Sequence, residues 1–173
     1  MTRFWSTVAY LASIVLANWL TARYGLVPMG FGLMATAGTF AAGLAFVARD
    51  AVQDAAGRLA TIGVLAVGCA TSWFLASPAL ALASAAAFGL SELVDMAIYT
   101  PLRRRGYVRA ALASNLVGAL VDTFVFLALA GFAITGAVVA GQLVGKAWAT
   151  VAVVLLVGVA RAVLRNRLNR AGA

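Results

Sequence analysis

Glu92, Asp95, Asp122 and Lys146 are ionisable residues set inside long apolar runs, and any chemistry of this chain has to begin with them. A charge at the centre of a bilayer costs about 2.5–3.5 kcal/mol on insertion scales, so such residues turn to the protein interior and are functional by default. Glu92 and Asp95 are three positions apart, which places them on one face of a helix. With a rise of about 1.5 Å per residue, Asp122 and Lys146 fall within roughly 2 Å of the midpoints of their runs. Glu92 lies about 5 Å from its midpoint and Asp95 about 9 Å, towards one membrane face. Three runs thus bring an ionisable group to similar depth, which predicts one polar cavity near the midplane, where transporters hold substrate. Lys146 neutralising Asp122 or Glu92 is the plain structural reading, but one ammonium cannot offset three carboxylates. Ser91, Ser114, Asn115 and Gln142 extend the same pocket. Gln142 sits one helical turn before Lys146. Asn18 lies toward the outer end of the first run. Gly141 and Gly145 have the spacing of a close helix contact or, as a poorer reading, a dimer contact.

These residues need membrane helices to hold them. The chain is 64% apolar and 10% charged, with a mean hydropathy of +1.01. A soluble domain carries roughly 25% charged residues. A soluble globular protein is therefore excluded, and so is a disordered one, which needs low hydrophobicity. Six apolar runs appear, at 4–22, 30–48, 59–76, 78–100, 110–131 and 135–160. Each is long enough to cross the hydrocarbon core as a helix, and none alternates as a barrel strand would. The expected fold is all-α, a polytopic membrane protein with six transmembrane helices in a single integral domain over 1–173. The first run exceeds the usual length of a signal-peptide core and is followed by no clear small-x-small cleavage site, so it reads as a retained helix.

Charge sets orientation. The net charge is +8, with 13 basic residues against 5 acids. Arg3, Arg49, Arg58, Arg103, Arg104, Arg105, Arg109, Arg161, Arg165, Arg167 and Arg170 all fall on one side of the six-run arrangement, and Arg23 alone on the other. The positive-inside rule makes the first side cytoplasmic, with both termini there. The arginine cluster at 103–105 reads as a topology anchor that meets lipid headgroups rather than as a nucleic-acid grip. The chain has no His and one Cys, which excludes an intrachain disulfide, a Cys/His metal cluster and a Ser–His catalytic pair. No cofactor is implied. An aspartyl dyad would need Asp95 and Asp122 at one depth, which their spacing does not give; the sequence reads as a non-enzyme.

The link after the second run carries Asp50, Gln53, Asp54 and Gly57, read locally as a solvated stretch closed by a glycine turn. At this point the chain resembles the queuosine precursor transporters, also called the vitamin uptake transporter family. The segment Asp50-x-x-Gln53-Asp54-x-x-Gly57-Arg58 is similar to the family's stretch after span two, with Asp54 where Glu is commoner. Ser91-Glu92-x-x-Asp95 resembles its span-four motif, Ser114-Asn115-x-x-Gly118-x-x-x-Asp122-Thr123 its span-five motif, and Lys146 its span-six lysine.

The resemblance implies a fold like that of the substrate-binding subunits of energy-coupling-factor transporters. It also implies uptake of 7-cyano- or 7-aminomethyl-7-deazaguanine through a bacterial cytoplasmic membrane, for queuosine in tRNA. The alternative it leaves open is a vitamin-binding subunit that needs partner ATPase subunits. Glu92, Asp95, Asp122, Lys146, Gln142, Asn115 and Ser91 are the expected substrate contacts. A carboxylate at Glu92 or Asp122 would accept from the guanine-like edge, and Lys146 or Gln142 would donate to the ring carbonyl. Phe88 and Trp148 are candidate stacking faces. The expected partners are the deazapurine, the bilayer and, from size, a second copy of the chain, with no nucleic acid.

Overall fold

In an apolar solvent a backbone N–H or C=O has no partner but its own chain, so runs of Ala, Leu and Val close into helices. The computed structural model describes residues 2–102, 104 and 107–171. Among them are α1 (Thr2–Tyr24), a hairpin of β1 (Leu26–Gly30) and β2 (Leu33–Thr36), α2 (Thr39–Ala56), α3 (Arg58–Leu75), α4 (Pro78–Leu102), α5 (Tyr107–Leu129) and α6 (Gly136–Ala171). Four stretches, Arg3–Tyr24, Arg58–Leu75, Pro78–Asp95 and Gly136–Val153, are long and apolar enough to cross a membrane, and Asn115–Leu129 is a shorter apolar helix. An all-α membrane protein is the architecture observed. Of the orienting arginines, Arg3, Arg23, Arg58 and Arg104 are exposed. Arg103, Arg105 and the side chains of Arg109, Arg161, Arg165, Arg167 and Arg170 lie outside the described residues.

The second span is where the sequence reading needs correction. Residues 30–48 were expected to form one helix; instead 30–36 belong to the hairpin and the helix runs Thr39–Ala56. Gly30 and Gly32 take φ of 86° and 73° and flank Phe31 at φ 54°. Glycine adopts that left-handed region without a Cβ penalty, so the chain reverses there and Leu26 pairs with Thr36, Val27 with Ala35 and Pro28 with Met34. The hairpin is as apolar as a helix, and hydropathy alone does not separate them. The shift also moves the Asp50–Asp54 motif out of the loop and into the last turns of α2. Gly57 is then the single residue between α2 and α3, at φ 82°, with its N–H donating to the Gln53 carbonyl at 2.8 Å.

Packing places α2 at the centre, against α1 on one side and α6 on the other; α3 leans on α1 and α4, and α4 pairs with α5. Tyr10, Ile14, Ala48 and Val52 form a buried cluster with Phe88 beside it. Gly141 and Gly145 pack tightly, Gly141 against the hairpin and Gly145 against the first residue of α2. A Cβ at Gly141 would strike the Met34 backbone of β2, and one at Gly145 would lie 2.7 Å from Thr39 Cγ2. The glycines therefore seat the hairpin and the start of α2 on α6.

Candidate functional site

One cavity of about 80 Å³ opens inside the bundle, and every helix contributes to its wall. On α1 the wall is Tyr10, Ile14, Ala17, Asn18 and Thr21, the face set by steps of three and four residues. The hairpin adds Thr36, α2 adds Phe46, α4 adds Ser84 and Phe88, α5 adds Asp122 and Phe126, and α6 adds Gln142 and Lys146.

The central polar contact joins α5 to α6. Lys146 Nζ lies 2.5 Å from Asp122 Oδ2 and donates to Thr123 Oγ1 at 2.9 Å. Lys146 is 6% exposed and Thr123 fully buried. Gln142, one turn earlier on α6, donates from Nε2 to Thr36 Oγ1 at 2.9 Å and accepts from Thr39 Oγ1 at 2.6 Å. This network ties the hairpin and the start of α2 to the cavity wall. Gly38 completes the tie on the other side, its N–H donating to Thr21 Oγ1 at 3.2 Å.

A second charged group joins α2 to α4. Arg49 of α2 places Nη1 2.5 Å from Glu92 Oε2, and donates from Nη2 and Nε to Asp50 Oδ1 at 2.7 and 2.9 Å. Its Cζ is 5.6 Å from the centroid of Phe88 and 5.9 Å from that of Phe46. Lys146 Nζ is also 5.9 Å from Phe46. Cations at this range are drawn to an aromatic face, so Phe46 is shared by both ion pairs.

Three expected site residues, Asp122, Gln142 and Lys146, therefore meet at the cavity; Glu92, Asp95, Ser91 and Asn115 are not among its lining residues. Glu92 is held by Arg49 instead. Ser91 turns its hydroxyl to the Phe88 carbonyl at 2.9 Å. Ser91 and Asp95 face Gly118, where an added Cβ would lie 3.6 Å from the Ser91 carbonyl oxygen and the Asp95 Cβ. The span-four and span-five motifs thus meet each other, packing α4 on α5. Asn115 is exposed, and the Ser114 side chain lies outside the described residues. Phe88 is on the wall, whereas Trp148 is 65% exposed and points away from the bundle. Asp50 and Asp54 are exposed near the C-terminal end of α2 with Gln53 half-buried.

Sequence reasoning missed Arg49, which it places in the link after the second run; with α2 running Thr39–Ala56, Arg49 lies inside the helix and is the counter-charge of Glu92. It also missed Tyr10, Thr36 and Thr39. A tyrosine in the middle of an apolar run was the available signal for the first, since its hydroxyl needs a partner when buried.

No curated protein and no solved structure matches the chain. Residues 68–162 match the family described as "Putative vitamin uptake transporter", a segment that takes in α4, α5, Asp122 and Lys146. That match covers more than half of the sequence, and the chain belongs to the vitamin uptake transporter family as a multi-pass membrane protein.

Proposed function

We propose that this chain imports a queuosine precursor, 7-cyano- or 7-aminomethyl-7-deazaguanine, across a bacterial cytoplasmic membrane to supply tRNA modification. The observation that carries the reading is the Asp122–Lys146 pair, which opens on a cavity walled by Phe46, Phe88 and Phe126. Aromatic faces on the wall suit the flat face of a base. A carboxylate accepts from two adjacent N–H groups of a guanine-like edge, and such charge-assisted contacts are roughly twice as strong as neutral ones. Lys146 or Gln142 donates to the ring carbonyl. Glu92 acts with Arg49 as the cytoplasmic boundary of the site, and Ser91, Asp95 and Asn115 act through the α4–α5 contact rather than on the ligand. The chain works as a carrier and not as an enzyme.

The test is tRNA queuosine content in a bacterial strain that cannot make the precursor and lacks its own importer. The strain also lacks energy-coupling-factor ATPase subunits, and it is fed a low concentration of 7-cyano-7-deazaguanine. The native chain is expected to restore queuosine. Asp122→Asn is expected to reduce initial uptake by about tenfold or more, the loss of a hydrogen bond to a charged group. No restoration with the protein present in the membrane, or equal uptake by Asp122→Asn, overturns the assignment.

A further inference from the structure

Among the described residues, three buried side-chain polar atoms lack a hydrogen-bond partner: Tyr10 OH, Asn18 Nδ2 and Ser72 Oγ. Tyr10 and Asn18 both line the cavity, and both come from α1. Tyr10 is 0% and Asn18 1% exposed. Ser84 Oγ donates to Asn18 Oδ1 at 2.7 Å, which orients the amide and leaves Nδ2 as the unmet donor. A buried donor without an acceptor forfeits its full desolvation cost. Two such atoms on one cavity wall ask for an occupant with polar atoms in matching places.

Their depths say how that occupant lies. Asn18 is six residues from the outer end of α1, and Asp122 is seven from the outer end of α5; at about 1.5 Å per residue they sit at nearly the same level. Tyr10 is eight residues further inward, roughly 12 Å along the axis, with its ring centroid 6.2 Å from that of Phe88. The cavity therefore has a head at Asn18, Asp122 and Lys146, and an inner end at Tyr10. A bicyclic base occupies the head and leaves the inner end to whatever projects from the ring.

We infer that Tyr10 is a specificity-determining residue that reads the ring substituent of the ligand. Its hydroxyl hydrogen-bonds the polar atom at the end of the 7-substituent, while Asn18 Nδ2 donates to an acceptor on the ring. This rests on the reading of Asp122 and Lys146 as the base-binding pair. Water is the competing occupant, since a cavity of about 80 Å³ has room for it.

The experiment measures binding of 7-cyano-7-deazaguanine and of unsubstituted 7-deazaguanine to the full chain in nanodiscs. The wild type is expected to prefer the cyano compound. Tyr10→Phe keeps the ring beside Phe88 and is expected to weaken the cyano compound about three- to tenfold, the range of one neutral hydrogen bond. It should leave 7-deazaguanine unchanged, which also serves as the control for folding. Asn18→Ala is expected to weaken both compounds alike. Equal affinity of the wild type for the two compounds overturns the inference, as does an equal effect of Tyr10→Phe on both, and the base-binding reading then survives. A wild type that binds neither compound overturns the base-binding reading and this inference with it.

Discussion

Lys146→Met is expected to lower the stability of the folded chain by about 3–5 kcal/mol, the cost of leaving one partner of a buried ion pair uncompensated. Asp122 keeps only 13% of its side chain exposed, and the Thr123 hydroxyl that accepts from Lys146 is stranded as well. Thermal unfolding in detergent should show a large fall in midpoint. The double variant Asp122→Asn with Lys146→Met should recover most of that loss, because removing both charges leaves no unpaired ion. Uptake by the double variant should stay as low as that of Asp122→Asn alone. Recovery of fold without recovery of uptake separates the two roles of the pair; recovery of both would reduce it to a structural contact. A single variant as stable as the wild type would show that the pair contributes little to the fold.

Gly141→Val is expected to abolish uptake and to destabilise by about 1–3 kcal/mol or more, the range for overpacking a filled interior. The obstacle is the backbone of Met34, which cannot rotate away as a side chain can. Either β2 or α6 must move, and the Gln142 bonds to Thr36 and Thr39 are broken with it. Gly145→Ala meets Met29 Cε, which can swing aside, and Thr39 Cγ2, which is held by the Thr39 hydrogen bond to Gln142, so a loss is expected here too, smaller because no backbone atom blocks the new methyl. Gly89→Ala in α4 has open space around it and should be neutral or stabilising by about 0.5–1 kcal/mol. Uptake by Gly141→Val at the wild-type rate would mean that the hairpin need not sit where it does for transport.

What could be read from the sequence follows from which physical signal each element carries. A buried partner for Lys146 was legible because a deep charge in an apolar run has few places to go, but the choice between Asp122 and Glu92 was not. The outer helices were legible from length and hydropathy alone. The hairpin was not, since Leu26–Thr36 is as apolar as the helices around it and the reversal is marked by the positive φ of Gly30, Phe31 and Gly32. That error propagated: with α2 drawn too early, Arg49 became a loop residue and Glu92 was left without its counter-charge. The convergence of Glu92 and Asp95 on the cavity was inferred from depth, but depth does not fix the azimuth of a helix. Ser91 and Asp95 face Gly118 of α5, a rotation that only the packing of neighbours sets.

Phe46 has Lys146 Nζ and the Arg49 guanidinium each 5.9 Å from its ring centroid. The ring is a common surface for two ion pairs that never touch. Substitutions at Arg49 and Lys146 should therefore show epistasis, with an interaction energy that vanishes when Phe46 is replaced by leucine.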